Sequence, residues 1–131
     1  MPILYLAITN HGFGHATRAA SVAATLLQRC PDLHIVLATT APQWLLQSYL
    51  SSERVSYRPV VFDIGVLQSD SLTMDKAATL EKLQWIYDHQ DEILAPEIEF
   101  IKNTGVDLIF GDIPPLVTQL AKASREYLRL L

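Results

Sequence analysis

Short apolar runs alternate with longer stretches of helical period along this chain, and the alternation predicts its architecture. Ile3-Leu4-Tyr5-Leu6-Ala7-Ile8 is a compact run rich in strand formers, and Ala16 to Gln28 then repeats small and aliphatic residues at helical spacing. Cys30-Pro31-Asp32 breaks the pattern, after which Leu33 to Ala38 reads as a second strand with His34 as its only strongly polar member. Thr39-Thr40-Ala41-Pro42 opens a short helix carrying Trp44, Leu45, Leu46 and Leu50. The polar turn Ser51-Ser52-Glu53-Arg54 leads into a third strand, Val55 to Phe62.

Asp63 to Asp75 lacks a clear period and reads as a long, functional or lid-like loop, with Asp75 well placed to cap the helix that follows. From Lys76 the helical period returns through Leu80, Leu83, Ile86, Ile93 and Leu94. Pro96 is expected to kink or restart that helix before Ile98 and Ile101 continue its apolar face, and Asn103-Thr104-Gly105 to end it. Val106 to Phe110 is a fourth strand, Gly111 to Pro115 the loop at its carboxyl end, and a last helix begins near Leu116. Strands joined through helices imply right-handed crossovers and a parallel sheet. The fold class is therefore α/β: a Rossmann-like parallel sheet of order 3-2-1-4 with helices on both faces.

Composition narrows the function without naming it. Half of the 131 residues are hydrophobic, enough for one domain with a real core. Ten basic against fourteen acidic residues, a net charge of −4, and no dense Lys/Arg cluster argue against nucleic-acid binding through a basic surface. The single cysteine, Cys30, has no partner for an internal disulfide or a cysteine metal site, which fits a reducing cytoplasm. The opening apolar run is too short, and lacks the preceding positive charge, for a signal peptide or membrane span.

Chemistry concentrates in Asn10-His11-Gly12-Phe13-Gly14-His15-Ala16-Thr17-Arg18, the turn between the first strand and its helix. Ligands of open parallel sheets bind at the carboxyl ends of strands, so this turn faces the expected crevice. It carries two of the three glycines of a dinucleotide fingerprint, with Thr17 in place of the third, and the second strand ends in Ala38-Thr39-Thr40 rather than in a ribose-binding acid. No lysine follows it, which excludes a P-loop. An imidazole on a glycine turn suits either phosphate contact or proton transfer from a bound hydroxyl.

As a base, His15 needs a carboxylate to orient its second nitrogen and stabilise its charge. In a 3-2-1-4 sheet the fourth strand lies beside the first, and Asp112 follows the fourth strand by two residues. Topology thus pairs His15 with Asp112, although Asp112 could instead cap the last helix. Arg18 sits in a first helical turn, where a cation opposes the macrodipole; it either meets an anion or forms a surface ion pair with Asp63 or Asp112. Gln68 and Asp70 either contact sugar hydroxyls or stabilise their loop, and no acidic spacing there makes a calcium loop. Trp44, Trp85 and Tyr87 are read as core or helix-surface residues without a ligand.

Three segments together, His11 to Arg18, Gly65 to Asp75 and Asp112-Ile113-Pro114-Pro115, resemble the N-terminal Rossmann-like domain of GT-B glycosyltransferases. They are most similar to the glycosyltransferase-like domain found alone in bacteria and fused ahead of arabinose kinase in plants. The resemblance implies His15 as base on an acceptor hydroxyl and Asp112 as its orienter, with His11, Gly12, Gly14, Arg18, Gln68 and Asp70 lining the substrate site. It implies an acceptor on this domain and a nucleotide-sugar donor held mainly by a second domain, with no separate cofactor or metal. Residues 1–123 form the similar unit, taken as incomplete, and 124–131 a divergent tail. A shortened product, inactive alone and open to self-association along its fourth strand, is the expectation; a sugar or sugar-phosphate binding module and a non-functional fragment are the alternatives.

Overall fold

The computed structural model describes residues 1–10, 13–50, 52–62, 72–112 and 114–127. Strand β1 (Ile3–Ile8) runs through the middle of a four-stranded parallel sheet. On one side of it lies β2 (His34–Ala38), followed by β3 (Val55–Arg58); on the other lies β4 (Leu108–Asp112). The order β3-β2-β1-β4 is the expected one and is compatible with right-handed crossovers.

All six residues of β1 are buried, because both faces of the sheet are covered. Leu4, Leu6 and Ile8 point to α1 (Gly14–Arg29) and α2 (Gln43–Tyr49), whose Ala16, Ala19, Ala20, Ala23 and Leu46 close that layer. The run of alanines lets α1 lie close to the sheet. Ile3, Tyr5 and Ala7 point the other way, to α3 (Lys76–Asp88), α4 (Gln90–Thr104) and α5 (Leu116–Ala123), through Ile86, Ile101 and Leu120 among others.

Local signals place most element ends. The Asp75 side chain accepts from the Ala78 amide at 2.9 Å, as the capping pattern predicts, and Gly105 ends α4 in the left-handed region at φ 77°. Three boundaries differ from expectation. The third strand stops at Arg58 because Pro59 has no amide to donate. The break between the two long helices falls at His89, with Asp91 and Glu92 in the first turn of α4, so Pro96 lies inside that helix rather than restarting it. β4 runs from Leu108, because Asp107 is drawn into pairing with Ile3: the Ile3 amide donates to the Asp107 carboxylate at 2.8 Å. That two-residue shift makes Asp112 the last residue of a strand instead of a loop residue.

One arginine that sequence reading treats as part of a polar turn has a structural task. Arg54 donates to the carbonyls of Leu27, Cys30, Pro31 and Leu33 at 2.8 to 3.2 Å, so a cation satisfies carbonyl groups at and beyond the carboxyl end of α1.

Candidate functional site

The register of β1 and β4 builds the site. Ile8 pairs with Asp112, and the ladder continues one step further as the Thr9 amide donates to the Asp112 carbonyl at 3.3 Å. The Asp112 carboxylate is thereby fixed beside the turn in which β1 becomes α1. Behind it, Gly111 lets α5 approach: a Cβ there would meet Val117 Cγ1 at 2.9 Å.

His15 is the second residue of α1 and Arg18 stands one turn later on the same face. The helix begins without an acidic residue in its first turn or a side-chain cap at Phe13. A Cβ on Gly14 would meet nothing within 4 Å, so packing inside the chain does not require a glycine at this position. Asn10 donates to the Thr40 hydroxyl at 2.6 Å and ties the carboxyl end of β1 to that of β2. Phe13 packs edge-on against Trp44, with ring centroids 6.1 Å apart, and both rings are exposed at the rim.

Three functional groups meet here. His15 Nδ1 lies 3.7 Å from Asp112 Oδ1, too far for a hydrogen bond. Arg18 Nη2 lies 2.9 Å from the same Oδ1 and 2.9 Å from His15 Nδ1, and so stands between the two. Topology correctly makes His15 and Asp112 neighbours, and of the two readings of Arg18 the ion pair with Asp112 is realised. Its other proposed partner, Asp63, lies outside the described residues, as do His11, Gly12, Gln68 and Asp70. Asp75 is taken up by its cap. Asn10 and Phe13 belong to the turn singled out by sequence, while Thr40 and Trp44 are additions to the expected site, signalled by β2 ending beside β1.

One hollow adjoins this centre and another lies away from it. A groove of about 370 Å³ runs along β4 between Leu108, Phe110 and the α1 residues Ala19, Val22 and Leu26, with Arg18 and Asp112 at its polar end. A larger cleft, about 730 Å³, opens on the opposite face between Val60, Trp85, Ile93 and Pro96, away from His15. Trp85 and Tyr87 are exposed on α3. Among the described residues, no three His, Cys, Asp or Glu side chains gather to hold a metal ion, and no helix is long and apolar enough to cross a membrane.

No protein-family model matches the chain. By sequence it is 36% identical over 115 residues, 87% of its length, to an L-arabinokinase of Arabidopsis thaliana, of which it spans only 11%. By structure it resembles a UGT transferase of Siraitia grosvenorii solved with UDP, at a TM-score of 0.57 and 14% identity. It also resembles UGT2 of Phytolacca americana, solved with UDP-2-fluoro-glucose and pterostilbene, at a TM-score of 0.59 and 18% identity. The alignments cover 96% and 97% of this chain but 26% and 29% of those proteins. In fold the chain is thus a GT-B-like Rossmann domain shared with UDP-glycosyltransferases, and in sequence it is similar to one segment of a plant L-arabinokinase.

Proposed function

We propose that this chain is the acceptor-side part of a GT-B-type glycosyltransferase that moves a sugar from a nucleotide-sugar onto a hydroxyl. The observation that carries the reading is the meeting of His15 and Asp112 at the carboxyl ends of adjacent strands, 3.7 Å apart. In the transfer step His15 takes the proton of the acceptor hydroxyl, the freed oxygen attacks the anomeric carbon, and the nucleotide diphosphate leaves. Asp112 stabilises the imidazolium that forms. Phe13 and Trp44 offer an apolar rim to the acceptor. The nucleotide-sugar is held mainly by a second domain, and the 131 residues alone turn nothing over. The chain works in the cytoplasm, and the open edge of β4, where Leu108 and Phe110 are exposed, is its self-association surface.

A second reading, a sugar or sugar-phosphate binding module beside a sugar kinase, is favoured by the similarity to L-arabinokinase. Titration calorimetry of the purified chain with UDP-glucose and with L-arabinose, alongside a transfer assay, separates the two. The transferase reading expects weak nucleotide-sugar binding and no turnover; transfer by the isolated chain overturns its inactivity. Tight L-arabinose binding that weakens in His15→Ala establishes the sensor instead.

A further inference from the structure

From the three-way contact of His15, Arg18 and Asp112 we infer that Arg18 is a positioning residue that sets the tautomer of His15 and keeps the base disarmed until its guanidinium moves. The inference rests on the proposed roles of His15 and Asp112. A guanidinium has five N–H donors and no lone pair, so at 2.9 Å from Arg18 Nη2 the His15 Nδ1 must be the acceptor. A neutral imidazole whose Nδ1 accepts carries its proton on Nε2. In that state Nε2 has no lone pair with which to take a proton from a hydroxyl, and the only lone pair of the ring is turned inward to Arg18.

Asp112 can orient a base only in the opposite tautomer, with Nδ1–H donating to its carboxylate and Nε2 free. Arg18 prevents this twice over. It occupies Nδ1, and it holds Asp112 Oδ1 at 2.9 Å while the Nδ1 to Oδ1 separation stays at 3.7 Å. Closing that gap needs less than an ångström of side-chain movement once the guanidinium has gone. Among the described residues Arg18 is held by His15 and Asp112, and its side chain is 63% exposed, against 14% for Asp112, so it can swing into solvent while the carboxylate stays. When it leaves, Nε2 gives its proton to water and Nδ1 takes one from water. The ring becomes a base without change in net protonation.

The tautomer is read directly by long-range ¹H–¹⁵N correlation of the imidazole in the ¹⁵N-labelled chain, at about pH 8, above the ordinary histidine pKa. The His15 signals are assigned by their loss in His15→Asn. The wild-type ring is expected to carry its proton on Nε2, and Arg18→Met to move it to Nδ1. Adding Asp112→Leu to Arg18→Met returns it to Nε2. Arg18→Leu, which likewise has no group to donate to Nδ1, moves the proton in the same direction as Arg18→Met and guards against a folding defect in one variant. A wild-type ring protonated on Nδ1, or a tautomer unmoved by both substitutions, overturns the inference. No turnover is needed for this measurement. An unmoved tautomer defeats the switch and leaves the transferase reading standing, while tight L-arabinose binding that weakens in His15→Ala defeats the transferase reading and leaves the tautomer result standing.

Discussion

Among the described residues, two arginine–carboxylate clusters are built from strand ends, and they differ in how completely they are satisfied. On the face covered by α3 to α5, Arg58 at the end of β3 grips Glu97 of α4 with two bonds, Nε to Oε1 at 2.8 Å and Nη2 to Oε2 at 2.7 Å. Tyr5 of β1 donates to the same Oε1 at 2.7 Å, and the Phe100 ring lies 4.0 Å beneath the guanidinium. Glu97 is almost wholly buried. At the end of β4, an exposed Arg18 holds the largely buried Asp112 by one oxygen only, with an imidazole beside it. A bidentate, buried pair with a hydroxyl on its spare lone pair is a clamp between β1, β3 and α4. A single-bonded, exposed pair is free to exchange partners. The same residue types therefore build a closed clamp in one place and leave an arginine open to solvent in the other, and the exposure of the arginine makes the difference.

Removing one carboxylate from each cluster tests that contrast most sharply. Glu97→Ala strands a largely buried guanidinium and the Tyr5 hydroxyl, and is expected to cost about 3 kcal/mol of stability, seen as a lower urea midpoint at unchanged slope. An effect no larger than that of an exposed pair would dissolve the distinction.

The next effect is a pH dependence to which the buried cluster contributes through Tyr5. Burial above all, then the bond to Glu97 and its negative charge, raise the Tyr5 pKa well above the ordinary tyrosine value, against a smaller opposing effect of Arg58. The native state thus holds the Tyr5 proton more tightly than the unfolded chain does. The resulting stability is complete below the unfolded pKa of about 10 and is lost as pH rises beyond it. Burial raises the Tyr57 pKa as well, so it adds to the same slope. Unfolding free energies between about pH 9 and 11 should fall steeply in the native sequence and less steeply in Tyr5→Phe, with Tyr57 supplying the remainder. Equal slopes would remove Tyr5 from the clamp.

The smallest expected effect is on the exposed cluster. Asp112→Asn removes the charge of a single-bonded pair whose arginine is exposed, leaves an oxygen that can still accept from Arg18, and should change stability by less than about 1 kcal/mol, again from the urea midpoint. A loss approaching that of Glu97→Ala would make Asp112 a structural residue and weaken its role beside His15.

Much of this was legible in the amino-acid order. Apolar runs in alternation with helical periods point to a parallel α/β sheet, and taking it in the doubly wound order 3-2-1-4 brings His15 to Asp112, as observed. The Asp75 cap and the Gly105 stop are equally local, since each depends on backbone groups within a few residues. What only the tertiary structure decided is how charged side chains choose among distant partners. Arg18 had two readings because nothing within a helix turn distinguishes them, and packing β4 against β1 brought Asp112 to it. Arg54 finds carbonyls 21 to 27 positions away, and Glu97 finds Tyr5 and Arg58 across 92 and 39. Periodicity records which face of an element is apolar; it carries no trace of which charge waits on the other side, because that is settled by the meeting of elements and by the cost of leaving a buried charge unpaired.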